Sequence, residues 1–241
     1  MGVLKYPLDG ADKAVIDRVI DDVLSEKILD TVWNDFFYYL TLFEDIENGL
    51  GLADASVGGS GATYAGMLLK TGATSGNETT IGRDLTAFAG TVTYDQPSRF
   101  RTTFNIQDVS AEGTPDNQTI FIGIGLGDSS PSAQCYGFRV TNTTLYGLTC
   151  DGSAETAVQL LTGLAFETEY TIEARLTPSQ KVLFYVNEKE RGVSTTNIPT
   201  DTVAVLPRYS ITTNEATAKQ IQVSYFEYIQ RRPQRQARKL T

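Results

Sequence analysis

The chain has 241 residues and a net charge of −9 at pH 7, with 20 Lys and Arg against 29 Asp and Glu. It contains no histidine and only two cysteines. This excludes Ser-His-Asp and Cys-His catalysis, His-ligated metal centres, and zinc or iron–sulfur sites held by cysteine alone. A protein with this negative net charge is also a poor general binder of nucleic acid, whose phosphates repel it. The composition favours a structural or binding protein over an enzyme.

The N-terminal segment, residues 1–54, differs from the rest of the chain in charge and in hydrophobic period. It holds 12 acidic residues against 4 basic ones. Aliphatic residues at i+4 spacing predict a helix over residues 10–30. Met1 to Gly10 has no continuous apolar run, so we do not expect a secretory signal. No stretch of the chain approaches about 18 consecutive apolar residues, so no membrane-spanning helix is expected.

An aromatic block follows at residues 31–43 and also repeats at helical spacing. Its large side chains either pack onto the chain's own β-domain or anchor the protein to a neighbouring subunit as a homo-oligomer. The candidate interface residues are Trp33, Phe36, Phe37, Tyr39, Leu40 and Phe43. Residues 49–61 are rich in Gly, Ala and Ser and are interpreted as a linker. We therefore place an attachment arm at residues 1–54 and a β-domain at residues 55–230.

From residue 62 onward, β-branched and aromatic residues recur in short runs between turn-forming residues. Strands are predicted at residues 62–70, 78–83, 90–95, 99–107, 118–126, 134–141, 144–150, 157–161, 168–176, 180–187, 190–195, 203–212 and 219–229. At residues 170–176, Tyr170 and Ile172 lie on one face of the strand, and Glu173 and Arg175 on the other. This pattern predicts an antiparallel sandwich or jelly roll.

Whether the two cysteines face each other depends on the register of one predicted hairpin. If Asn142 and Thr143 form a two-residue loop, opposed residues have numbers that sum to 285. Cys135 and Cys150 meet this condition, so their sulfur atoms are predicted to be neighbours. A disulfide between them would depend on the redox compartment.

The C-terminal tail, residues 231–241, reverses the charge of the chain. It has five basic residues and no acid: Arg231, Arg232, Arg235, Arg238 and Lys239. The tail is either a solvated end or a segment that docks on an acidic partner surface or on nucleic acid. The acidic arm of a neighbouring copy is one such surface.

Motifs that could support catalysis or cofactor binding are weak. The glycine run at residues 123–127 lacks the helix and the Gly-Lys-Ser/Thr that a phosphate-binding loop needs. Glu167, Glu169 and Glu173 share strand parity, and the opposite parity carries apolar residues, so we expect these acids on the solvent face. We predict no enzyme activity, no cofactor and no metal site.

The second half of the β-domain resembles concanavalin A-like (laminin G-like) jelly rolls. The resemblance is carried by a hairpin at residues 136–149, by Asp151 and Gly152, and by the strand at residues 170–175. The run V-L-F-Y-V-N at residues 182–187 and N-I-P-T at residues 197–200 follow. This order is similar to domains of bacteriophage virion proteins. The Glu-x-Asp-x-(x)-Glu strand of glucanases in this superfamily does not occur in the sequence.

The resemblance implies a structural virion protein, for capsid decoration or a head fibre, assembled in the host cytoplasm together with other virion proteins. In this interpretation the arm fastens the protein by burying aromatic residues, and the jelly roll is displayed outward. The alternative is a lectin-like module that binds surface glycans as part of a tail or fibre. Sugar binding rests here on analogy of fold.

Overall fold

Two antiparallel β-sheets make up the described part of the protein. The computed structural model describes residues 36–42, 54–57, 63–65, 68–82, 93–109, 111–125, 134–200 and 206–231. These ranges contain strands, turns and loops but no α-helix, and so none long and apolar enough to cross a membrane. The expected fold class, a mainly β antiparallel sandwich, is confirmed.

The chain forms fifteen described strands. In order they are β1 Phe36–Leu42, β2 Asp54–Val57, β3 Thr63–Ala65, β4 Leu68–Lys70, β5 Glu78–Gly82, β6 Ser98–Gln107, β7 Gln118–Gly125, β8 Cys135–Thr141, β9 Thr144–Cys150, β10 Glu155–Leu161, β11 Tyr170–Leu176, β12 Val182–Val186, β13 Lys189–Ser194, β14 Leu206–Thr213 and β15 Gln220–Arg231. The first sheet has the order β13-β12-β11-β6-β15-β4-β3, with β1 also paired to β15. The second has the order β10-β9-β8-β7-β14-β5-β2.

The core lies between the two sheets and is built by alternation along each strand. On β11, Tyr170 and Ile172 are buried as predicted, because side chains two apart share a face. An aromatic cluster joins the sheets. Phe138 of the second sheet lies 5.8 Å from Phe100 and 5.6 Å from Phe184 of the first, measured between ring centroids, and both contacts are edge-to-face. Such contacts add to the stabilisation from apolar burial.

Most predicted strands are found within two or three residues of their expected bounds, and three predictions are wrong. The single strand expected at residues 62–70 is instead two strands, β3 and β4, which pair antiparallel with each other. The strand predicted at residues 90–95 does not reach its expected end, because Tyr94 and Asp95 lie in a turn. Conversely, β2 lies inside the segment interpreted as a linker, where it pairs with β5. A short edge strand needs few β-forming residues, because one neighbour supplies all its ladder hydrogen bonds.

The N-terminal segment is partly described. The helix predicted over residues 10–30 lies outside the described residues. For Phe36–Leu42 the helical interpretation is wrong, because this stretch is strand β1 and pairs with β15, with Tyr39 opposite Tyr228. Aromatic residues favour strands, and the free edge of β15 offers backbone groups that need partners. The division of the chain at residue 54 stays a prediction.

Candidate functional site

A row of polar side chains crosses the first sheet on the face opposite the core. The strand registers place Glu227, Arg101, Glu173, Tyr185 and Glu190 side by side on β15, β6, β11, β12 and β13. Directly opposed residues in antiparallel pairs have side chains close enough to interact. The row therefore joins acidic, basic and aromatic groups from five strands into one surface.

A second row lies beside the first and is linked to it by ion pairs. Arg99 and Arg175 are directly opposed on β6 and β11. Arg99 Nη2 donates a hydrogen bond to Glu227 Oε2 at 2.8 Å, and Arg175 Nε donates to Glu173 Oε1. The Arg175 guanidinium carbon also lies 4.4 Å from the centroid of the Tyr185 ring, within cation–π range.

A groove of about 200 Å³ lies on this face of the sheet. We call it the arginine groove, and its lining residues are Arg99, Arg101, Thr171, Glu173, Arg175, Tyr185 and Glu188. Glu173 was predicted on the solvent face. It does lie on the face opposite the core, but it is only 8% exposed, because the neighbouring polar side chains cover it. The lining of the groove therefore includes a buried carboxylate.

Tyr185 presents a neutral phenol to the groove. Partial burial raises its pKa, and the nearby carboxylates of Glu190 and Glu173 raise it further against the lowering effect of Arg175. Its hydroxyl donates to Glu190 Oε2 at 3.3 Å. Tyr185 is thus a hydrogen-bonding aromatic group of the kind found where one side of a ring is wet.

The hairpin between β12 and β13 places an acidic residue at the edge of the groove. Its two loop residues, Asn187 and Glu188, have φ values of +50° and +65°, as a type I′ turn requires. Asn187 is anchored to β11 because its Oδ1 accepts a hydrogen bond from the Thr171 N–H at 3.0 Å. Glu188 Oε1 accepts a bond from Arg101 Nη2 at 3.1 Å. The turn thus holds a carboxylate against Arg101.

Neutral polar groups continue the surface along β6 beyond the groove. Thr103 Oγ1 lies 3.1 Å from Thr171 Oγ1. The amides of Asn105 and Gln107 donate to Gln222 Oε1 on β15 at 3.5 and 3.4 Å. The polar face is therefore longer than the groove.

Three carboxylates lie together elsewhere, between the β6–β7 and β14–β15 connections. One oxygen from each of Glu112, Asp116 and Glu215 lies within 4.8 Å of the others, as in a cation site. However, the Lys219 ammonium, only 3% exposed, bonds to both Glu112 and Glu215. Burial alone would lower the pKa of Lys219, but these hydrogen bonds outweigh it and raise the pKa. The cluster therefore already contains its own cation and joins two loops.

The predicted interface residues are only partly described. Phe36, Phe37, Tyr39 and Leu40 lie in β1, whereas Trp33 and Phe43 lie outside the described residues. An interface with a neighbouring subunit stays a prediction.

The predicted cysteine register is confirmed. Cys135 on β8 is directly opposite Cys150 on β9, and both are buried beside Phe121 and Leu148 in a small cluster separate from the main core. Both are thiols in the structure, and a disulfide between them, which would depend on the redox compartment, stays a prediction.

The basic tail is described only at its first residue. Arg231 is the last residue of β15, and the other four, Arg232, Arg235, Arg238 and Lys239, lie outside the described residues. Docking of the tail on an acidic surface or on nucleic acid stays a prediction.

The arginine groove was not predicted from the sequence. The available signals were local: Arg99 and Arg101 alternate with buried residues on β6, as Glu173 and Arg175 do on β11. Arg99 and Arg101 lie beside Glu173 and Arg175 because β6 pairs with β11. The register between two strands so distant in the chain cannot be inferred from a single sequence.

The comparisons with known proteins identify the fold. No protein-family model matches the sequence, and no curated protein matches it either. A protein of unknown function from Shewanella oneidensis MR-1 is similar in structure, with a TM-score of 0.56, 15% identity, and coverage of 82% of this chain and 87% of that one.

Two binding domains are also similar in structure. The carbohydrate recognition domain of Emp47p has a TM-score of 0.54 and 10% identity, over 75% of this chain and 93% of that one. The binding domain of Paraclostridial Mosquitocidal Protein 1 has a TM-score of 0.53 and 10% identity, over 83% of this chain but only 50% of that one. The described β-domain is therefore a two-sheet sandwich consistent with the concanavalin A-like fold.

Proposed function

We propose that this protein is a glycan-binding module that holds a saccharide in the arginine groove. The observation that carries the proposal is the groove itself, in which arginine, carboxylate, hydroxyl and aromatic groups from several strands converge. Small-molecule sites typically combine a concave surface with a few convergent polar groups. The similarity to the carbohydrate recognition domain of Emp47p supports the proposal through the fold alone.

The chemistry of the groove suits a ligand rich in hydroxyl groups. A hydroxyl both donates and accepts hydrogen bonds. Arg101 and Arg175 supply donors, and Glu173 and Glu188 supply acceptors, within the same groove. A hydrogen bond to a charged group contributes about 1.5–3 kcal/mol, more than one between neutral groups. An arginine and a carboxylate of the groove can therefore bind the same sugar hydroxyl, because the guanidinium donates a hydrogen bond to its oxygen and the carboxylate accepts one from its O–H.

A glycan array probed with the full chain tests this proposal, followed by calorimetric titration of each glycan that binds and competition with the free sugar. Arg101→Ala should weaken binding at least tenfold, because it removes central donors. Arg139→Ala is the matched control. Arg139 lies on the second sheet and, like Arg101, is a half-buried arginine paired with a glutamate, in its case Glu155 at 2.7 Å. If both variants bind like the wild type, the groove is not the site.

The role in a bacteriophage particle rests on the sequence resemblance described above. In that role the module would be displayed on the virion, with other virion proteins as partners, and glycan binding would serve in receptor recognition. Immunogold labelling of purified particles from the source phage tests this part. Labelled particles would support a virion location, and label confined to host lysate would contradict it.

A further inference from the structure

We infer that the arginine groove selects uncharged saccharides, and that Glu188 is the residue that keeps acidic saccharides out. This inference rests on the proposed function and names the ligand class of the same site.

Each arginine of the groove already has a carboxylate partner. Arg99 is paired with Glu227, Arg101 with Glu188 and Arg175 with Glu173. Two of these carboxylates line the groove and the third, Glu227, lies beside it against Arg99. Three positive charges therefore meet three negative ones, and these ion pairs leave no surplus of positive charge to attract an anion.

A ligand carboxylate would have to displace one of these partners and would lie beside the others. Glu173 is nine-tenths buried and cannot move into solvent without breaking its contacts, so a second negative charge beside it is unfavourable. A sugar hydroxyl meets no such obstacle, because it is neutral and a guanidinium has several N–H groups with which to donate to more than one acceptor. Charge balance therefore favours neutral saccharides over uronates and sialates.

Glu188 differs from the other carboxylates of these ion pairs in its exposure and in its place in a turn. Its side chain is 78% exposed, against 10% for Glu173 and 20% for Glu227. It is the second residue of the type I′ turn, whose geometry sets its φ of +65°. The other turn residue, Asn187, accepts a hydrogen bond from the Thr171 N–H. This contact fixes the turn that holds the Glu188 carboxylate against Arg101.

The test is Glu188→Gln in the full chain, compared with Glu190→Gln. Both substitutions remove one negative charge from the same hairpin. Glu190, however, accepts a hydrogen bond from Tyr185, whereas Glu188 forms an ion pair with Arg101. Calorimetric titration would use neutral oligosaccharides that bind in the array, together with their uronate counterparts of the same linkage.

We expect the wild type to bind the neutral form at least tenfold more tightly than the uronate. Glu188→Gln should raise uronate affinity about tenfold, because the ligand carboxylate can then take the place of Glu188 against Arg101. It should also make uronate binding weaken as salt is raised. Glu190→Gln should change the ratio less than threefold.

The possible outcomes distinguish a failure of the inference from a failure of the proposed function. Uronate binding by the wild type as tight as neutral binding, lost in Arg101→Ala, overturns the inference and leaves the proposed function in place. An equal effect of Glu188→Gln and Glu190→Gln overturns the role of Glu188. If no glycan of either class binds, the proposed function is overturned and the inference with it.

Discussion

Gly147 tests whether the two sheets meet as closely as the structure shows. Gly147 lies on β9, on the side facing the first sheet, and a Cβ at this position would lie 2.5 Å from Phe184 Cδ2 and Cγ. The backbone of the second sheet is therefore in contact with an aromatic ring of the first. We expect Gly147→Ala to destabilise the protein.

The magnitude follows from two opposing effects. Replacing glycine by alanine in a strand normally stabilises by about 0.5–1 kcal/mol, through lower backbone entropy in the unfolded chain. Here the Phe184 ring must move by about 1 Å to restore an ordinary carbon–carbon contact, and overpacking of this kind costs about 1–3 kcal/mol. Phe184 also packs against Phe138, which restricts that movement. The difference between the central values of the two effects, about 2 and about 0.75 kcal/mol, gives a net loss of about 1 kcal/mol.

Urea unfolding followed by far-UV circular dichroism measures this loss. Gly125→Ala is the matched control, because a Cβ there would lie 3.4 Å from Cys135 Cβ and no closer to any other side chain. Combining Gly147→Ala with Phe184→Leu should recover part of the loss, since neighbouring substitutions of this kind couple by about 0.5–3 kcal/mol. Gly147→Ala with a stability close to that of the wild type, or simple additivity in the double variant, would refute the close contact.

Three further predictions concern buried polar groups. Lys219→Met should lower the unfolding free energy by about 2 kcal/mol near neutral pH, measured by urea unfolding. Because the pKa of Lys219 is raised, its contribution is complete below the unfolded-state pKa and should be lost as pH rises through the folded value. No such loss in the wild type relative to the variant would contradict the ion pairs. Burial raises the pKa of Tyr136, despite its hydrogen bond to Ser98, and the pKa of Tyr228, so ultraviolet titration should show tyrosines that ionise only on alkaline unfolding. Normal titration of all tyrosines would contradict their burial. Burial also raises the pKa of the Cys135 thiol, so it should react slowly with thiol reagents in the native state, and rapid modification would contradict its burial.

Local features of the fold were predictable from the sequence. The β8–β9 hairpin needed only the Asn142-Thr143 loop and alternation, and these placed Cys135 opposite Cys150. The buried face of β11 was equally readable from its period of two. Both predictions depend on residues near in sequence, where the turn sets the register.

Features that depend on distant pairing were not predictable. Along β15 the register shifts between Val223 and Tyr225, which is a β-bulge that changes the parity of the residues facing the core. This shift places Glu227 beside Arg101 on the face opposite the core. The sequence of β15 alone shows a mixture of polar and aromatic residues and does not reveal where the parity changes.

The aromatic stretch that forms β1 shows why its secondary structure could not be predicted from the sequence. Helical and strand periods fit a short run rich in aromatics almost equally well. The choice is made by a partner near the other end of the chain, since β1 pairs with β15 from Phe36 opposite Arg231 to Leu42 opposite Tyr225. Pairing with β15 therefore decides that this stretch is a strand, although its spacing also fits a helix.

Hydrogen–deuterium exchange of the full chain, with and without a saturating saccharide identified by the array, tests the central claim most directly. We expect ligand-dependent protection in β6, β11 and β12 and at the Asn187-Glu188 turn, with no change in β8 and β9 of the opposite sheet. Protection confined to β8 and β9, or to loops away from the first sheet, would contradict the assignment of the arginine groove as the glycan site.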